Sequence, residues 1–372
     1  MRRLCLFSFY DSDGVVDNYV IYLLKSLRKV SCQIYIAVNG SISRRGLQDL
    51  TNYADKVIKR PNVGFDAGAY KDMLCNHIGW DNLKQYDELV LCNNTFFGPF
   101  ISLERIFQEM EYNYDFWGLN KIENTVVDHI QSYFLVMNLR ILSIEDLFYF
   151  FEKYIDECDE SLLNVYVEFE VGMTFFMQNR RYRIGAYGAG NTCDNYRSPN
   201  IAMRKYHVPI MKNKLRLEDQ SDYDNALDAV NYIEKNSTYP VKLITDYWKR
   251  KYQINLDERR KRPLQVQEKL FYVRTKTDEQ ILYEAEDYDR LYIYGAGLIA
   301  RKIYRFIKLP RVDAFIISDN QDKTTDKLYG VPVKFLSEVK NLSHAGVIIG
   351  LNHNNYENVK NKYPYIKNII KI

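Results

Sequence analysis

Lys59-Arg60-Pro61-Asn62-Val63-Gly64-Phe65-Asp66-Ala67-Gly68-Ala69-Tyr70 is the stretch that decides the fold, together with, after a short helical piece, Tyr86-Asp87-Glu88-Leu89-Val90-Leu91-Cys92-Asn93-Asn94-Thr95-Phe96-Phe97-Gly98-Pro99-Phe100. The first half is a glycine-punctuated loop carrying one carboxylate, Asp66, and one amide, Asn62. The second half is an apolar strand that breaks off into Asn93-Asn94-Thr95. Ligands of open α/β sheets bind beyond the carboxyl ends of parallel strands, so a strand ending in small polar side chains marks a candidate site. A strand followed by an ordinary polar turn fits the same letters, because Asn and Gly are turn residues in any case. The residues alone leave both readings open.

Outward from that stretch the chain alternates. Residues 4–9 read as a first strand, with the loop Tyr10-Asp11-Ser12-Asp13-Gly14 after it. Val16, Val20, Leu23, Leu24 and Leu27 recur at helical spacing. A second strand, 34–38, ends at Asn39-Gly40, and a helix around 47–54 leads to a third strand at 56–59. Strands alternating with helices predict a mostly parallel sheet with helices on both faces. Further on, the pattern gives helices at 103–110, 144–154, 226–234 and 240–251, and strands at 115–119 and 131–137. Another helix begins at Tyr166 and carries Glu168 and Glu170. Residues 185–200, rich in Gly, Asn and Ser, predict a mobile loop.

Composition narrows the class. A chain of 372 residues is long enough for two domains, and a formal charge of +3 gives no reason to expect a nucleic-acid partner. Cys5, Cys32, Cys75, Cys92, Cys158 and Cys193 are scattered without metal-site spacing, which fits a reducing compartment with no disulfide framework. No apolar run reaches the ~18 residues of a membrane span, and the apolar N-terminal run stops at Asp11, too short for a secretory signal. The expected location is cytoplasmic.

Lys249, Arg250, Lys251, Arg259, Arg260, Lys261 and Arg262 crowd together just after Tyr247-Trp248, which reads as a solvated linker. The expected division is a first domain over 1–255, a basic linker over 256–286 and a small Rossmann-like domain over 287–372. In the last of these, Gly295-Ala296-Gly297-x-x-Ala300 follows a strand, and Asp319 ends the next one. That meets the dinucleotide fingerprint in outline. A lone fingerprint of this kind is weak, NAD is not expected, and the unit also resembles the small N-terminal domains of sugar-modifying acyltransferases.

Asn62-x-Gly64-Phe65-Asp66-x-Gly68-x-Tyr70-Lys71 followed by Asn93-Asn94-Thr95-x-x-Gly98-Pro99 resembles the rhamnan synthesis protein F family, whose members resemble bacterial GT-A glycosyltransferases. The similarity runs from Tyr10 to about Tyr247. It implies a GT-A-like fold that transfers a sugar, with L-rhamnose from dTDP-L-rhamnose as the expected donor, onto a cell-surface polysaccharide or its lipid-linked precursor. The protein would then touch the inner face of the cell membrane peripherally. Tyr10, Asp11 and Asn39 would line the nucleobase pocket, and Asn62 and Asp66 the sugar or ribose. Asn93-Asn94-Thr95 stands where GT-A enzymes hold Mg²⁺ or Mn²⁺ through an Asp-x-Asp element. With Asn94 in the middle, metal dependence is in doubt, and Arg60, Lys71 or Lys212 can supply positive charge instead. Glu170 corresponds to the segment of the acceptor base, with Asp115 second, while Glu168 would face elsewhere on its helix. His129, Gln131 and Ser132 would lie on the acceptor side. A non-catalytic nucleotide-sugar-binding or scaffold protein is the alternative.

Overall fold

The first strand, β1 (Arg3–Phe9), is buried along its whole length. A strand covered on both faces shows a continuous apolar run, and successive side chains serve opposite sides. Cys5, Phe7 and Phe9 enter one core, and Leu4 and Leu6 the other. In this computed structural model, which describes residues 1–123, 125–154, 161–214, 216–254, 263–270, 274–340, 342–351 and 353–372, β1 is the axis of an eight-stranded sheet.

β2 (Gln33–Asn39) and β4 (Glu88–Asn93) flank β1 in parallel, and β3 (Lys56–Arg60) lies beyond β2, also parallel. Next to β4 the direction reverses. β8 (Phe134–Asn138) runs antiparallel to β4, and β6 (Phe116–Ile122) pairs antiparallel with β8 and with the short β7 (His129–Ile130). β9 (Ile184–Asn191) closes the far side of β6 in parallel. One face is covered by the helices Asn18–Val30, Leu103–Met110, Gln220–Asn236 and Lys242–Tyr252. The other is covered by Phe65–Asp72, which widens into a π-helical turn at Met73–Ile78, and by Ile144–Tyr149 and Gly172–Asn179. Off the sheet, β5 (Phe96–Phe97) and β10 (Met211–Lys212) form a two-residue antiparallel pair. The result is a mixed α/β architecture with a large, mostly parallel sheet. Among the described residues no helix is long and apolar enough to cross a membrane.

Two sequence expectations are corrected. Residues 185–200 are no mobile loop. They supply β9, and Asn191, Asn195, Ser198 and Asn200 behind it are buried. The small residues there serve close packing: a Cβ on Gly185 would sit 2.3 Å from the Tyr114 ring. Nor is 256–286 one linker. Main-chain N–H groups of Gln265, Gln267 and Lys269 donate to Asp224, Asn225 and Ser198 of the first unit at 2.8, 3.1 and 2.7 Å. Helix Asp278–Glu286 places Ile281 and Ala285 in the core of the second unit. The units divide as Met1–Glu123 with His129–Phe271, and Asn124–Asp128 with Tyr272–Ile372. The basic residues Arg259 to Arg262, and Cys158, lie outside the described residues.

The second unit is a smaller sheet ordered β13 (Lys327–Leu328), β14 (Val331–Phe335), β12 (Ala314–Ile317), β11 (Leu291–Tyr294), β15 (Gly346–Ile349), β16 (Ile369–Ile370). All its pairs are parallel except β13 with β14.

Two features hold the ends of the large sheet in place. Asn94, just past β4, accepts the Tyr10 N–H at 3.1 Å through Oδ1 and donates Nδ2 to the Tyr10 carbonyl at 3.0 Å. Its own carbonyl takes the Tyr19 hydroxyl at 2.7 Å and Asn213 Nδ2 at 2.8 Å. In the glycine loop, Gly64 and Phe65 adopt left-handed backbone, φ 68° and 51°. Gly68 then packs so tightly that a Cβ would meet the Val63 carbonyl oxygen at 2.2 Å.

Asn94→Asp puts an acceptor where Tyr10 needs a donor. It is expected to cost roughly 3 kcal/mol, the upper end for an unpaired buried polar group because this one is charged. It should also create no cation site, and thermal unfolding with and without Mn²⁺ checks both points. Gly68→Ala should cost about 1–3 kcal/mol by overpacking. Gly297→Ala, whose Cβ would meet nothing within 4 Å, should leave the melting temperature of the protein unchanged.

Candidate active site

The candidate site forms where β1, β2 and β4 end. Ser8 donates its hydroxyl to Asp66 Oδ1 at 2.7 Å, and Asn93 donates Nδ2 to Asp66 Oδ2 at 2.6 Å. The two strand ends therefore grip one carboxylate from the glycine loop. Burial pushes the Asp66 carboxyl above its usual range, against the opposing pull of these two bonds. Asn93 Oδ1 accepts from Thr95 N–H at 3.0 Å and Thr95 Oγ1 at 2.7 Å, and Thr95 Oγ1 in turn accepts from Lys212 Nζ at 2.7 Å. The β5–β10 pair delivers this lysine, because Lys212 stands opposite Phe96, the residue after Thr95.

Lys212 is buried, with 6% of its surface exposed, and forms no ion pair among the described residues. Burial lowers its pKa to about 8, against the pull of Glu170 and Asp66, whose charges it feels from a distance. Glu170 is buried too. Its Oε2 accepts the Ser132 N–H at 2.8 Å and the Ser132 hydroxyl at 2.7 Å, and Oε1 lies 3.5 Å from His129 Nε2. Burial alone would raise this carboxyl. His129 and Ser132 outweigh it and hold Glu170 below its usual value. The Tyr166 hydroxyl reaches the same His129 nitrogen at 2.9 Å. The segment carrying Glu170, Tyr166–Val171, is π-helical, a form that recurs at functional sites. Glu168 is also buried there rather than on a solvated face.

Gln131 belongs to a buried ring of amides that sequence reading did not find. Its Oε1 accepts from Asn120 Nδ2 at 2.7 Å and Asn195 Nδ2 at 2.9 Å, and Asn191 Nδ2 donates to Asn120 at 3.0 Å and Asn195 at 2.8 Å. Gln131 Nε2 makes no hydrogen bond among the described residues. Tyr10 stays 48% exposed beside Gly40, open to a planar ligand. Asn62 is half-buried in the glycine loop.

Other expected site residues have structural work instead. Asn39 donates to Ser8 at 2.9 Å and accepts from Arg60, whose other nitrogens hold the Val63 carbonyl at 2.8 Å and pair with Asp72 at 3.5 Å. Both are thereby engaged in holding the glycine loop. Asp11 accepts the Asp13 and Val15 N–H groups at 2.9 and 3.1 Å and pairs with Arg250 at 2.9 Å. The amide of Asn94 is taken up by Tyr10. Asp115 pairs with Arg183 at 2.7 Å just before β6. That is the opposite end of the strand from β7, roughly 20 Å from His129 at ~3.3 Å per residue, so Asp115 is no alternative base there. Among the described residues no three His, Cys, Asp or Glu side chains cluster as metal ligands. Both Asp66 oxygens and Asn93 Oδ1 already accept hydrogen bonds.

In the second unit, Gly295 and Gly297 lead from β11 into the helix Leu298–Phe306. Ala300, at the third fingerprint position, lies where a Cβ on Gly350 would sit 2.6 Å away, so this spacing serves helix–strand packing. The Asp319 carboxylate accepts the Ser337 N–H at 3.0 Å and its hydroxyl at 2.6 Å.

Known proteins bear on this arrangement as follows. Virulence protein VirA of Vibrio anguillarum is 31% identical over 187 residues, 49% of this chain and 58% of VirA, so the chain spans less than two thirds of that relative. A cytidylyltransferase of Leptospira borgpetersenii is 12% identical, covering 68% of this chain and 94% of its own, with a TM-score of 0.33. The glycosyltransferase GlyE of Streptococcus pneumoniae TIGR4 is 12% identical, covering 100% of this chain and 91% of its own, with a TM-score of 0.31. Scores this low add nothing to the strand order described above. The profile of the rhamnan synthesis protein F family matches residues 34–324, a span holding the glycine loop, Asn93-Asn94-Thr95, Glu170 and Lys212. The chain belongs to the rhamnan synthesis protein F family.

Proposed function

We propose that this protein is a nucleotide-sugar-dependent glycosyltransferase, with L-rhamnose from a dTDP donor as the expected sugar and a polysaccharide or its lipid-linked precursor as acceptor. The observation that carries the proposal is Lys212: a buried ammonium without a carboxylate partner among the described residues, set at the carboxyl ends of the parallel strands. An unpaired buried charge is costly, and an anionic ligand relieves that cost. The donor diphosphate is such an anion. The family's role in rhamnan synthesis supports the sugar.

The chemistry follows from the charges. An acceptor hydroxyl attacks the anomeric carbon of the donor while Glu170, ionised at neutral pH, takes the hydroxyl proton. The anomeric C–O bond breaks, and its electron pair leaves on the diphosphate, where Lys212 offsets the new charge. A single displacement of this kind inverts the anomeric centre. In this reading Gln131 Nε2 orients the sugar and Tyr10 the base. The second reading, donor binding without turnover, is favoured by the doubly bonded Oε2 of Glu170. A hydrolysis and transfer panel over dTDP-, UDP- and GDP-sugars separates the two: binding with no turnover on any acceptor supports the second, and no donor binding removes both.

Glu170→Gln keeps the acceptor oxygen for Ser132 but cannot take a proton. It should lower kcat about 10²–10⁴-fold and leave donor Kd nearly unchanged; a folded, fully active variant would remove Glu170 as the base. The Lys212 charge, present below pH 8 and lost above it, gives a second test. Donor kcat/KM should fall on the alkaline side with an apparent pKa of about 8. Lys212→Arg should abolish that limb, because guanidinium stays charged.

A further inference from the structure

Lys212 has three N–H bonds and, among the described residues, a single hydrogen-bond acceptor, Thr95 Oγ1. Its nitrogen otherwise lies 4.6 Å from the centre of the Tyr133 ring and 5.6 Å from that of Tyr196. Aromatic rings attract a cation without neutralising it. Two neighbouring groups are also unfilled. The Tyr133 hydroxyl is buried and has no hydrogen-bond partner among the described residues, which is uncommon for a buried polar atom and calls for an explanation. Arg216 follows Lys212 by four residues. Its guanidinium carbon is 5.3 Å from the centre of the same Tyr196 ring, its main-chain N–H donates to the Tyr196 carbonyl at 3.2 Å, and it has no ion pair among the described residues. Its charge is felt at the Tyr166 and Tyr196 hydroxyls, and Tyr166 is the residue bonded to His129. One ring thus carries two unpaired cations: Lys212, which is bonded to Thr95, and Arg216, whose charge reaches Tyr166.

We propose that Lys212, Arg216 and the Tyr133 hydroxyl form a cradle for the leaving nucleoside diphosphate, with Tyr196 as the ring that holds the two cations. This rests on the reading of the protein as a nucleotide-sugar glycosyltransferase, and adds to it two ligands that sequence analysis did not find. The three groups are donors toward an anion, and Lys212 feels the charges of Glu170 and Asp66. Arg216 is exposed.

The experiment measures binding of UDP, dTDP, GDP and CDP, and of the matching nucleosides, to the full chain and to Arg216→Ala, Arg216→Lys and Tyr133→Phe. A hydrogen bond to a charged group is worth about tenfold to a hundredfold in affinity. Arg216→Ala and Tyr133→Phe should each weaken the preferred nucleoside diphosphate by about that factor, with nucleoside affinity unchanged and Arg216→Lys recovering part of the loss. Tyr133→Phe removes a hydroxyl that has no partner, so its melting temperature should be unchanged or raised; a clear fall would mark a structural role and overturn the assignment. If the parent binds a nucleoside diphosphate and both variants bind it equally well, the cradle is wrong and the glycosyltransferase reading stands. If the parent binds none of the panel, that reading fails and takes the cradle with it.

Discussion

The Asp66 carboxylate is shared by the ends of two parallel strands and by the loop that lies across them. Ser8 on β1 and Asn93 on β4 each give it one hydrogen bond, and the loop can bring it there only because Gly64, Phe65 and Gly68 accept backbone geometry and contact that other residues would resist. From that junction the rest follows. Asn93 is fixed, so Thr95 is fixed. Thr95 accepts the hydrogen bond that Lys212 donates, and Lys212 and Glu170 share an electrostatic field with Asp66. A buried carboxylate held by neutral donors is stable enough to persist and leaves its charge for the ligand side of the site.

Much of this was legible in the sequence because parallel strands buried on both faces leave an apolar run with abrupt polar ends. The expected strands 4–9, 34–38, 56–59 and 89–92 sit within β1 to β4, and the polar residues just past them proved to be the ones that converge. Glu170 was singled out by the family resemblance, and its apolar neighbours Phe169 and Val171 make the carboxylate stand out. β9 was not. Its Gly-Ala-Tyr-Gly-Ala-Gly run has turn composition, and only the neighbouring Tyr114 and Val208 show that the small residues are there for contact.

Which polar residues face a ligand and which hold the frame was harder to see. Asn39, Arg60 and Asn94 have the right chemistry for donor binding, but their partners lie in other strands and loops, and side-chain type does not show a hydrogen bond already made. The pairing that places Lys212 is two residues long and joins positions more than a hundred apart in sequence, too short to leave a periodic signal. Arg216 and Tyr133 stand out only once a ring contact and an empty hydroxyl are measured.

The amide ring has a polarity of its own. Asn191 Oδ1 accepts the main-chain N–H of Cys193 at 2.8 Å, and a peptide N–H can only donate. That one bond fixes which way Asn191 points, and so the sense of Asn120, Asn195 and Gln131 in turn. None of these groups titrates in the range where Lys212 loses its proton. The four amides therefore keep one orientation of dipoles while the charge of Lys212 switches with pH.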